Sequence, residues 1–278
     1  MEYFEFSNGD KIPALGLGTF RMVDREVCKN SVKTALKLGY RHFDTAEVYE
    51  NQEFIGEAIK ESDVDRKELF VTTKIWVNHY KDLKGAFARD LEKLGLDYVD
   101  LLLLHQPIGA YVEAFKQMKE LREEGKIKHI GVSNFYKKHI ERLIKETGTI
   151  PEVDQIELHP FSQKEELSLY LKEKGILIED WYPLASGKSG LLHNKTLMEI
   201  AKDKNRSVVQ IILRWHYEIG HITFPRATSE AHLKENMEIF DFSLSSKERQ
   251  QIALLEKNKG YDSPTWAKQF FSRIQKAK

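Results

Sequence analysis

Four side chains with complementary acid–base character stand at or just beyond the ends of predicted strands. Asp44, Lys74 and His105 each close an apolar, strand-like segment, and Tyr49 lies five residues after Asp44. Aspartate is depleted in strands and is rarely buried without a partner, so a cation ending another strand is its expected partner. If the strands are parallel, their carboxyl ends meet at one edge, and the four side chains converge there.

Such a convergence would make a general acid directed at a carbonyl oxygen. A phenol has a reference pKa of about 10, and an ammonium group beside Tyr49 is expected to lower that pKa. A carboxylate would keep the lysine charged and in place, and a neutral imidazole could hydrogen-bond the same substrate oxygen. These groups polarise a carbonyl but supply no electron pair. A reduced nicotinamide is the natural donor of the missing hydride.

The elements that must position these groups alternate regularly along the chain. A hairpin with an Asn8-Gly9 two-residue turn is followed, counting from Leu15, by eight strand–helix units. The predicted strands are Gly16–Phe20, Arg41–Asp44, Leu69–Lys74, Val99–Leu104, Ile127–Val132, Glu152–Leu158, Ile176–Trp181 and Ile222–Pro225. The predicted helices are Asp24–Leu38, Asn51–Glu61, Lys81–Leu94, Val112–Glu124, Lys137–Glu146, Gln163–Lys174, Lys195–Lys204, Ser207–Tyr217, Ser229–Ile239 and Ser245–Glu256.

Continuous apolar strands are typical of a parallel sheet that is buried on both faces. Eight such units predict an α/β fold, a closed (β/α)8 TIM barrel with an N-terminal β-hairpin and an extra C-terminal helix, as one domain over residues 1–278. The alternative is an open doubly wound sheet. Its dinucleotide-binding form needs a third glycine after Gly16 and Gly18, and the sequence lacks it.

Composition limits the possible partners. Lys plus Arg and Asp plus Glu both number 43, so no net field favours nucleic acid or an anionic membrane. A single cysteine, Cys28, excludes an internal disulfide. No signal peptide is visible, and no apolar run reaches the roughly 18 residues of a membrane helix. We expect a cytoplasmic monomer that acts on a small-molecule carbonyl substrate.

Ordered motifs along the whole chain resemble the aldo-keto reductase family, in particular its bacterial-type members with short loops. The motifs are Gly39–Tyr49, Glu53–Gly56, Leu101–Pro107, Gly131–Phe135, Asp154–Pro160 and Pro225–Asn236. The resemblance implies a (β/α)8 fold and NAD(P)H-dependent reduction of aldehydes and ketones. It also implies that Tyr49 donates the proton, that Lys74 and Asp44 tune it, and that His105 orients the substrate.

The same resemblance implies a set of cofactor-binding residues. Ser133, Asn134 and Gln155 match the positions that hold the carboxamide, and Trp181 stands where an aromatic ring stacks on the nicotinamide. The full set is Gly18, Thr19, Asp44, Ser133, Asn134, Gln155, Trp181, Tyr182, Pro183, Leu184, Arg226, Ala227, Thr228, His232, Glu235 and Asn236.

Three of these positions depart from the family pattern near the adenosine phosphate. Arg226, Ala227 and His232 replace the usual lysine, serine and arginine. Arg226 can still clamp a phosphate, whereas a hydroxyl is lost and a permanent cation becomes a titratable ring. We expect NADPH, with NADH as a weaker or second cofactor.

The substrate wall also departs from the family. Gln106 follows the catalytic histidine where the family often has a tryptophan, and the tail Tyr261–Lys278 corresponds to the loop that sets substrate choice. The expected substrate-binding residues are Phe20, Tyr49, Trp76, His105, Gln106 and Trp266.

Two other functions fit parts of the sequence. His42, Asp44, His105 and His159 could be ligands of a metal-dependent hydrolase, although Lys74 would place an unwelcome cation beside the metal. A catalytically idle, cofactor-binding regulatory or structural protein on the same barrel is the second alternative. Side chains with no evident partner in the sequence are Cys28, His193, His216 and His221.

Overall fold

A short antiparallel hairpin precedes an eight-stranded parallel sheet in the computed structural model, which describes residues 1–185, 190–258 and 260. The hairpin strands are β1 (Tyr3–Glu5) and β2 (Lys11–Pro13). The sheet strands are β3 (Leu17–Gly18), β4 (His42–Asp44), β5 (Phe70–Ile75), β6 (Val99–Leu104), β7 (Ile127–Ser133), β8 (Val153–Glu157), β9 (Leu177–Trp181) and β10 (Ile222–Thr223).

Helices alternate with these strands as predicted. They are α1 (Arg25–Lys37), α2 (Gln52–Lys60), α3 (Leu83–Leu94), α4 (Tyr111–Glu123), α5 (Lys137–Thr147), α6 (Glu165–Glu173), α7 (Lys195–Lys204), α8 (Val208–Glu218), α9 (Glu230–Met237) and α10 (Ser246–Ala253). The Asp24 carboxylate caps α1 by accepting a hydrogen bond from the Val27 amide at 2.9 Å. Gly95 ends α3 in the left-handed conformation, with φ of 60°. The additional helix α10 after α9 is the predicted C-terminal one.

The sheet runs β3 to β10 in chain order, with every neighbouring pair parallel. Its two ends are joined because the Gly16 amide donates to the Thr223 carbonyl at 3.0 Å and the Thr223 amide donates to the Ala14 carbonyl at 3.1 Å. A side chain at Gly18 would place its Cβ 2.8 Å from the Phe224 carbonyl oxygen, so this seam requires glycine. The closed order confirms the barrel and excludes the open doubly wound sheet.

The hairpin differs from its prediction in one detail. The Phe6 amide donates to the Asp10 carbonyl at 2.8 Å, so the loop is longer than the two residues Asn8-Gly9. A two-residue type I′ turn needs positive φ at both central residues. Gly9 has a φ of 89°, whereas Asn8 is not among the residues with positive φ.

Two histidines that had no evident partner share a buried carboxylate. His216 Nδ1 lies 2.7 Å from Asp180 Oδ2, and His221 Nδ1 lies 3.0 Å from the same oxygen. This corrects the expectation drawn from the sequence, in which Asp180 is 36 residues from His216. Among the described residues, no helix combines the length and apolar character needed to cross a membrane.

Candidate active site

An ion pair between neighbouring strands forms the base of the site. Asp44 ends β4 and Lys74 lies near the end of β5, where parallel pairing brings the two together. Lys74 Nζ lies 2.7 Å from both carboxylate oxygens of Asp44 and 2.8 Å from the Thr45 carbonyl oxygen. The lysine is fully buried and Asp44 is 5% exposed. Burial alone would lower the pKa of Lys74, but Asp44, together with the smaller effects of Tyr49 and Glu179, more than offsets this, so that pKa lies above its usual value and the ammonium stays charged.

Tyr49 lies beside this pair, at the end of a 3₁₀ turn over Glu47–Tyr49 that follows β4. Its hydroxyl oxygen is 3.5 Å from Lys74 Nζ. Burial raises the pKa of Tyr49, and the opposing charge of Lys74 does not cancel this effect. The expected lowering of the Tyr49 pKa is therefore not found. The phenol is protonated at neutral pH, which is the form that can donate a proton.

His105 completes the group just beyond β6. Its ring lies edge-on to Tyr49, with 5.9 Å between centroids, and to Trp76, with 4.9 Å between centroids. Burial and, secondly, the positive charge of Lys74 hold the pKa of His105 well below its usual value. The imidazole is therefore neutral and keeps one N–H donor. The structure thus brings Asp44, Tyr49, Lys74 and His105 to one end of the barrel.

Glu47 is a site residue that sequence reasoning missed. One carboxylate oxygen accepts a hydrogen bond from the Trp76 amide at 3.0 Å, and the other lies in contact with His79 Nδ1. Glu47 thereby ties the turn that carries Tyr49 to the 3₁₀ turn Val77–Asp82 that follows β5. The only indication of this role in the sequence is that Glu47 stands two residues before Tyr49. The partners of Glu47 lie about one strand–helix unit away in the chain.

The residues expected to hold the carboxamide form one hydrogen-bonded cluster across β7, β8 and β9. Asn134 has a φ of 63° and donates through Nδ2 to Ser133 Oγ at 3.0 Å. The indole N–H of Trp181 donates to Asn134 Oδ1 at 2.9 Å, and the Ser133 hydroxyl donates to the Gln155 carbonyl oxygen at 2.9 Å. The cluster combines amide and hydroxyl groups, which suit a carboxamide because it both donates and accepts.

Gln155 connects this cluster to the ion pair. Its Nε2 donates to Asp44 Oδ2 at 2.9 Å and to Glu179 Oε2 at 2.8 Å. Glu179 is fully buried, and the sequence analysis did not predict it as a site residue. The sequence does contain an indication of it, since two acidic residues, Glu179 and Asp180, interrupt the apolar segment that forms β9.

The exit of β3 lies on the other side of the pair. The Thr19 hydroxyl donates to the Asp44 carbonyl oxygen at 2.8 Å, and Gly18 pairs with Asp44 in the strand register. The Phe20 ring lies 5.0 Å from that of Tyr49, between centroids, and the Phe20 side chain is 47% exposed. Phe20 therefore stands at the rim of the site, as expected of a substrate wall.

The predicted pyrophosphate and adenosine residues follow β9 and β10 or lie on α9. Tyr182, Pro183 and Leu184 directly follow Trp181, and Tyr182 has a φ of 64°. Those predicted near the adenosine end are exposed (Arg226, Thr228, His232), half-buried (Glu235) or buried (Ala227, Asn236).

One of these residues contacts another part of the barrel. A guanidinium nitrogen of Arg226 is 3.5 Å from the Arg21 carbonyl oxygen. Arg226 thus keeps most of its guanidinium for a ligand.

Two of the remaining predicted substrate-binding residues, Trp76 and Gln106, lie in the described part of the chain. Trp76 is 5% exposed and packs against His105. The backbone of Gln106 exchanges hydrogen bonds with the Tyr80 hydroxyl at 2.8 and 2.9 Å, and its side chain is half-buried. Trp266 and the rest of the tail over residues 261–278 lie outside the described residues.

Two of the histidines considered as metal ligands have other partners. His42 Nε2 is 3.0 Å from the Thr72 hydroxyl, and His159 Nε2 is 3.6 Å from Glu157 Oε1. Burial lowers the pKa of His42 to about 3. Within residues 1–185, 190–258 and 260, no group of three or more His, Cys, Asp or Glu side chains is arranged to hold a metal ion.

Comparisons with known proteins agree with this geometry. The sequence profile described as the Aldo/keto reductase family matches residues 14–257. Methylglyoxal reductase DkgA of Escherichia coli (strain K12) is 41% identical over 258 residues, which cover 92% of this chain and 94% of that protein. Glyoxal reductase of Bacillus subtilis (strain 168) is 43% identical over 254 residues, covering 90% of this chain and 91% of that protein.

A solved structure shows the same likeness in three dimensions. The crystal structure of a Bombyx mori aldo-keto reductase in complex with NADP has a TM-score of 0.88 and 32% sequence identity, and the match covers 93% of this chain and 94% of that one. The chain therefore belongs to the Aldo/keto reductase family, and it is an oxidoreductase that reduces carbonyl groups with a nicotinamide cofactor.

Proposed function

We propose that this protein reduces small aldehydes and ketones, including 2-oxoaldehydes such as methylglyoxal and glyoxal, to alcohols with NADPH, and that Tyr49 is the proton donor. The observation that carries the proposal is the Tyr49 hydroxyl 3.5 Å from a buried ammonium that is itself paired with Asp44. The names of the relatives from Escherichia coli and Bacillus subtilis support the substrate class.

The cofactor-binding role rests on the side-chain cluster at the ends of β7, β8 and β9. Ser133, Asn134 and Gln155 would hold the carboxamide, and Trp181 would offer its ring face to the nicotinamide. Arg226 would pair with the adenosine phosphate through its guanidinium. When bound, the reduced nicotinamide supplies the hydride.

The proton for the product alcohol comes from the protein. The Tyr49 hydroxyl donates it to the carbonyl oxygen, and Lys74 stabilises the phenolate that remains. Asp44 keeps the ammonium charged in its buried position. The neutral His105 donates an N–H hydrogen bond to the same oxygen and fixes the orientation of the carbonyl group.

Replacing Arg226 with alanine is expected to raise the NADPH Michaelis constant by at least about tenfold, because a charge-assisted contact to the phosphate is lost. The NADH constant should change far less, since NADH lacks that phosphate. Steady-state kinetics with both cofactors measure this. Arg89→Ala, which removes an exposed arginine from α3, is the matched control. Equal changes for NADPH and NADH would refute the phosphate assignment.

The neutrality of His105 predicts the shape of the acid side of the pH profile. Because its pKa lies well below the usual value, the ring stays neutral as the pH falls through the range where free histidine ionises, at about 6.5. The rate of carbonyl reduction should therefore not fall there. An acid limb with an apparent pKa near about 6.5 that disappears in His105→Asn would contradict this assignment.

The proposed function is tested with a panel of carbonyl compounds. Purified protein is incubated with methylglyoxal, glyoxal, an aromatic aldehyde and a simple ketone, each with NADPH and with NADH. We expect one alcohol formed per NADPH oxidised and the highest catalytic efficiency with aldehydes and NADPH. Stoichiometric NADPH binding without turnover on any of these compounds would contradict the proposed substrate class.

A further inference from the structure

Glu179 is a buried carboxyl group that the proposed proton transfer does not use. It lies in the interior of the barrel on β9, with Oε2 accepting a hydrogen bond from Gln155 Nε2 at 2.8 Å. Oε1 has no hydrogen-bond partner among the described residues, and the nearest ring nitrogen, His42 Nε2, is 3.9 Å away. Burial and the charge of Asp44 raise the pKa of Glu179 to about 8. Keeping a largely neutral carboxyl group with only one hydrogen-bond partner in a barrel core costs free energy, so a specific role is expected for it.

The contact with Gln155 supplies such a reason. An amide group has one oxygen and one NH2 of nearly the same shape, so its neighbours determine which of the two faces a given direction. Both hydrogens of Gln155 Nε2 are accepted by carboxyl oxygens, one from Asp44 and one from Glu179. Oε1 is then the atom of this amide that remains to accept a hydrogen bond from a ligand.

We propose that Glu179 is a positioning residue for the cofactor: together with Asp44 it holds the Gln155 amide so that Oε1 accepts from the NH2 of the bound carboxamide. The inference rests on the proposed assignment of Gln155 to the carboxamide. It deepens that assignment because it states which atom makes the contact and what fixes it. Glu179 itself touches neither substrate nor cofactor.

Two substitutions separate this role from simple packing. Glu179→Leu removes the acceptor and leaves one hydrogen of Gln155 without a partner, so the amide can rotate. Glu179→Gln keeps an oxygen that accepts from Gln155 but cannot ionise. If Glu179→Leu does not fold, Glu179→Met, whose side chain has a similar length, takes its place. Folding is verified by circular dichroism before any binding is measured.

The readout is equilibrium binding, which needs no turnover. Quenching of protein fluorescence gives the dissociation constants of NADPH and of its 3-acetylpyridine analogue, in which a methyl ketone replaces the carboxamide and no NH2 is present. We expect Glu179→Leu to weaken NADPH binding by about tenfold and the analogue by less than about threefold. Glu179→Gln should stay within about twofold of the unmodified protein for both. In a Gln155→Leu background, Glu179→Leu should have no further effect.

Three outcomes would overturn the inference. They are equal weakening of NADPH and the analogue, a Glu179→Gln variant as impaired as Glu179→Leu, and additive effects of Glu179→Leu and Gln155→Leu. Each of them requires that the unmodified protein bind NADPH. Absence of that binding would refute the proposed function instead, so the two failures are distinguishable.

Discussion

A Tyr49→Phe variant is expected to reduce carbonyl compounds about 10²- to 10⁴-fold more slowly than the unmodified protein, with the dissociation constant of NADPH changed by less than about twofold. The substitution removes only the hydroxyl that lies 3.5 Å from Lys74 Nζ and leaves the ring beside Phe20 and His105. Within the part of the chain that the structure describes, no other tyrosine hydroxyl is hydrogen-bonded to Lys74, so a phenol no longer supplies the proton. Single-turnover rates with excess enzyme measure the effect on the chemical step.

The matched control is Tyr3→Phe, which removes a hydroxyl from an exposed tyrosine of the hairpin. Its rate should equal that of the unmodified protein. If Tyr49→Phe retained most of the rate, Tyr49 would not be the acid, and Lys74 and His105 would be the remaining N–H donors among the four converging residues.

The parts of the fold that could be predicted are those that depend on residues close in the chain. Periodic apolar positions predicted α7 with both ends correct. The order of eight strands and their parallel direction then placed the ends of β4, β5 and β6 at one rim. That is why Asp44, Lys74 and His105 could be grouped before any coordinate was known.

The features that could not be predicted depend on partners from distant segments. Asp180 binds two histidines of the α8 region, and Glu47 holds the Trp76 amide 29 residues away. No local pattern marks such pairs. Glu179 could be noticed as an acid in an apolar strand, but its partner Gln155 is on the neighbouring strand and becomes evident only from the register.

The raised pKa of Tyr49 shows a second kind of property that a sequence does not predict. The sequence revealed a cation that would lower this pKa, and the cation is present. It did not reveal that burial, although Tyr49 is only half-buried, is the larger effect on this pKa. Spacing therefore indicates which charges meet, whereas the effect of burial on a pKa depends on packing from all surrounding elements.

Removing Lys74 alone is expected to cost about 3 to 5 kcal/mol of unfolding free energy, because Lys74→Met leaves the Asp44 carboxylate buried without its cation. The double variant Lys74→Met with Asp44→Asn should recover most of that loss. It carries no buried charge at this position, and the asparagine oxygen still accepts from Gln155. Urea denaturation measures the two free energies. The exposed Arg142–Glu146 pair on α5, with 2.6 Å between its charged atoms, is the control, and Arg142→Ala should cost less than about 1 kcal/mol.

Among these Lys74 and Asp44 variants, the rate of carbonyl reduction should not recover when the free energy of unfolding recovers. The double variant restores a well-paired core but leaves no ammonium beside Tyr49, so the phenolate formed on proton donation has no adjacent positive charge. We therefore expect carbonyl reduction to stay at least about 10²-fold below that of the unmodified protein in both the single and the double variant. Recovery of activity together with stability in the double variant would mean that Asp44 and Lys74 serve only to hold the barrel together. A persistent loss of activity in a stable protein would mean that the buried ion pair takes part in the proton transfer.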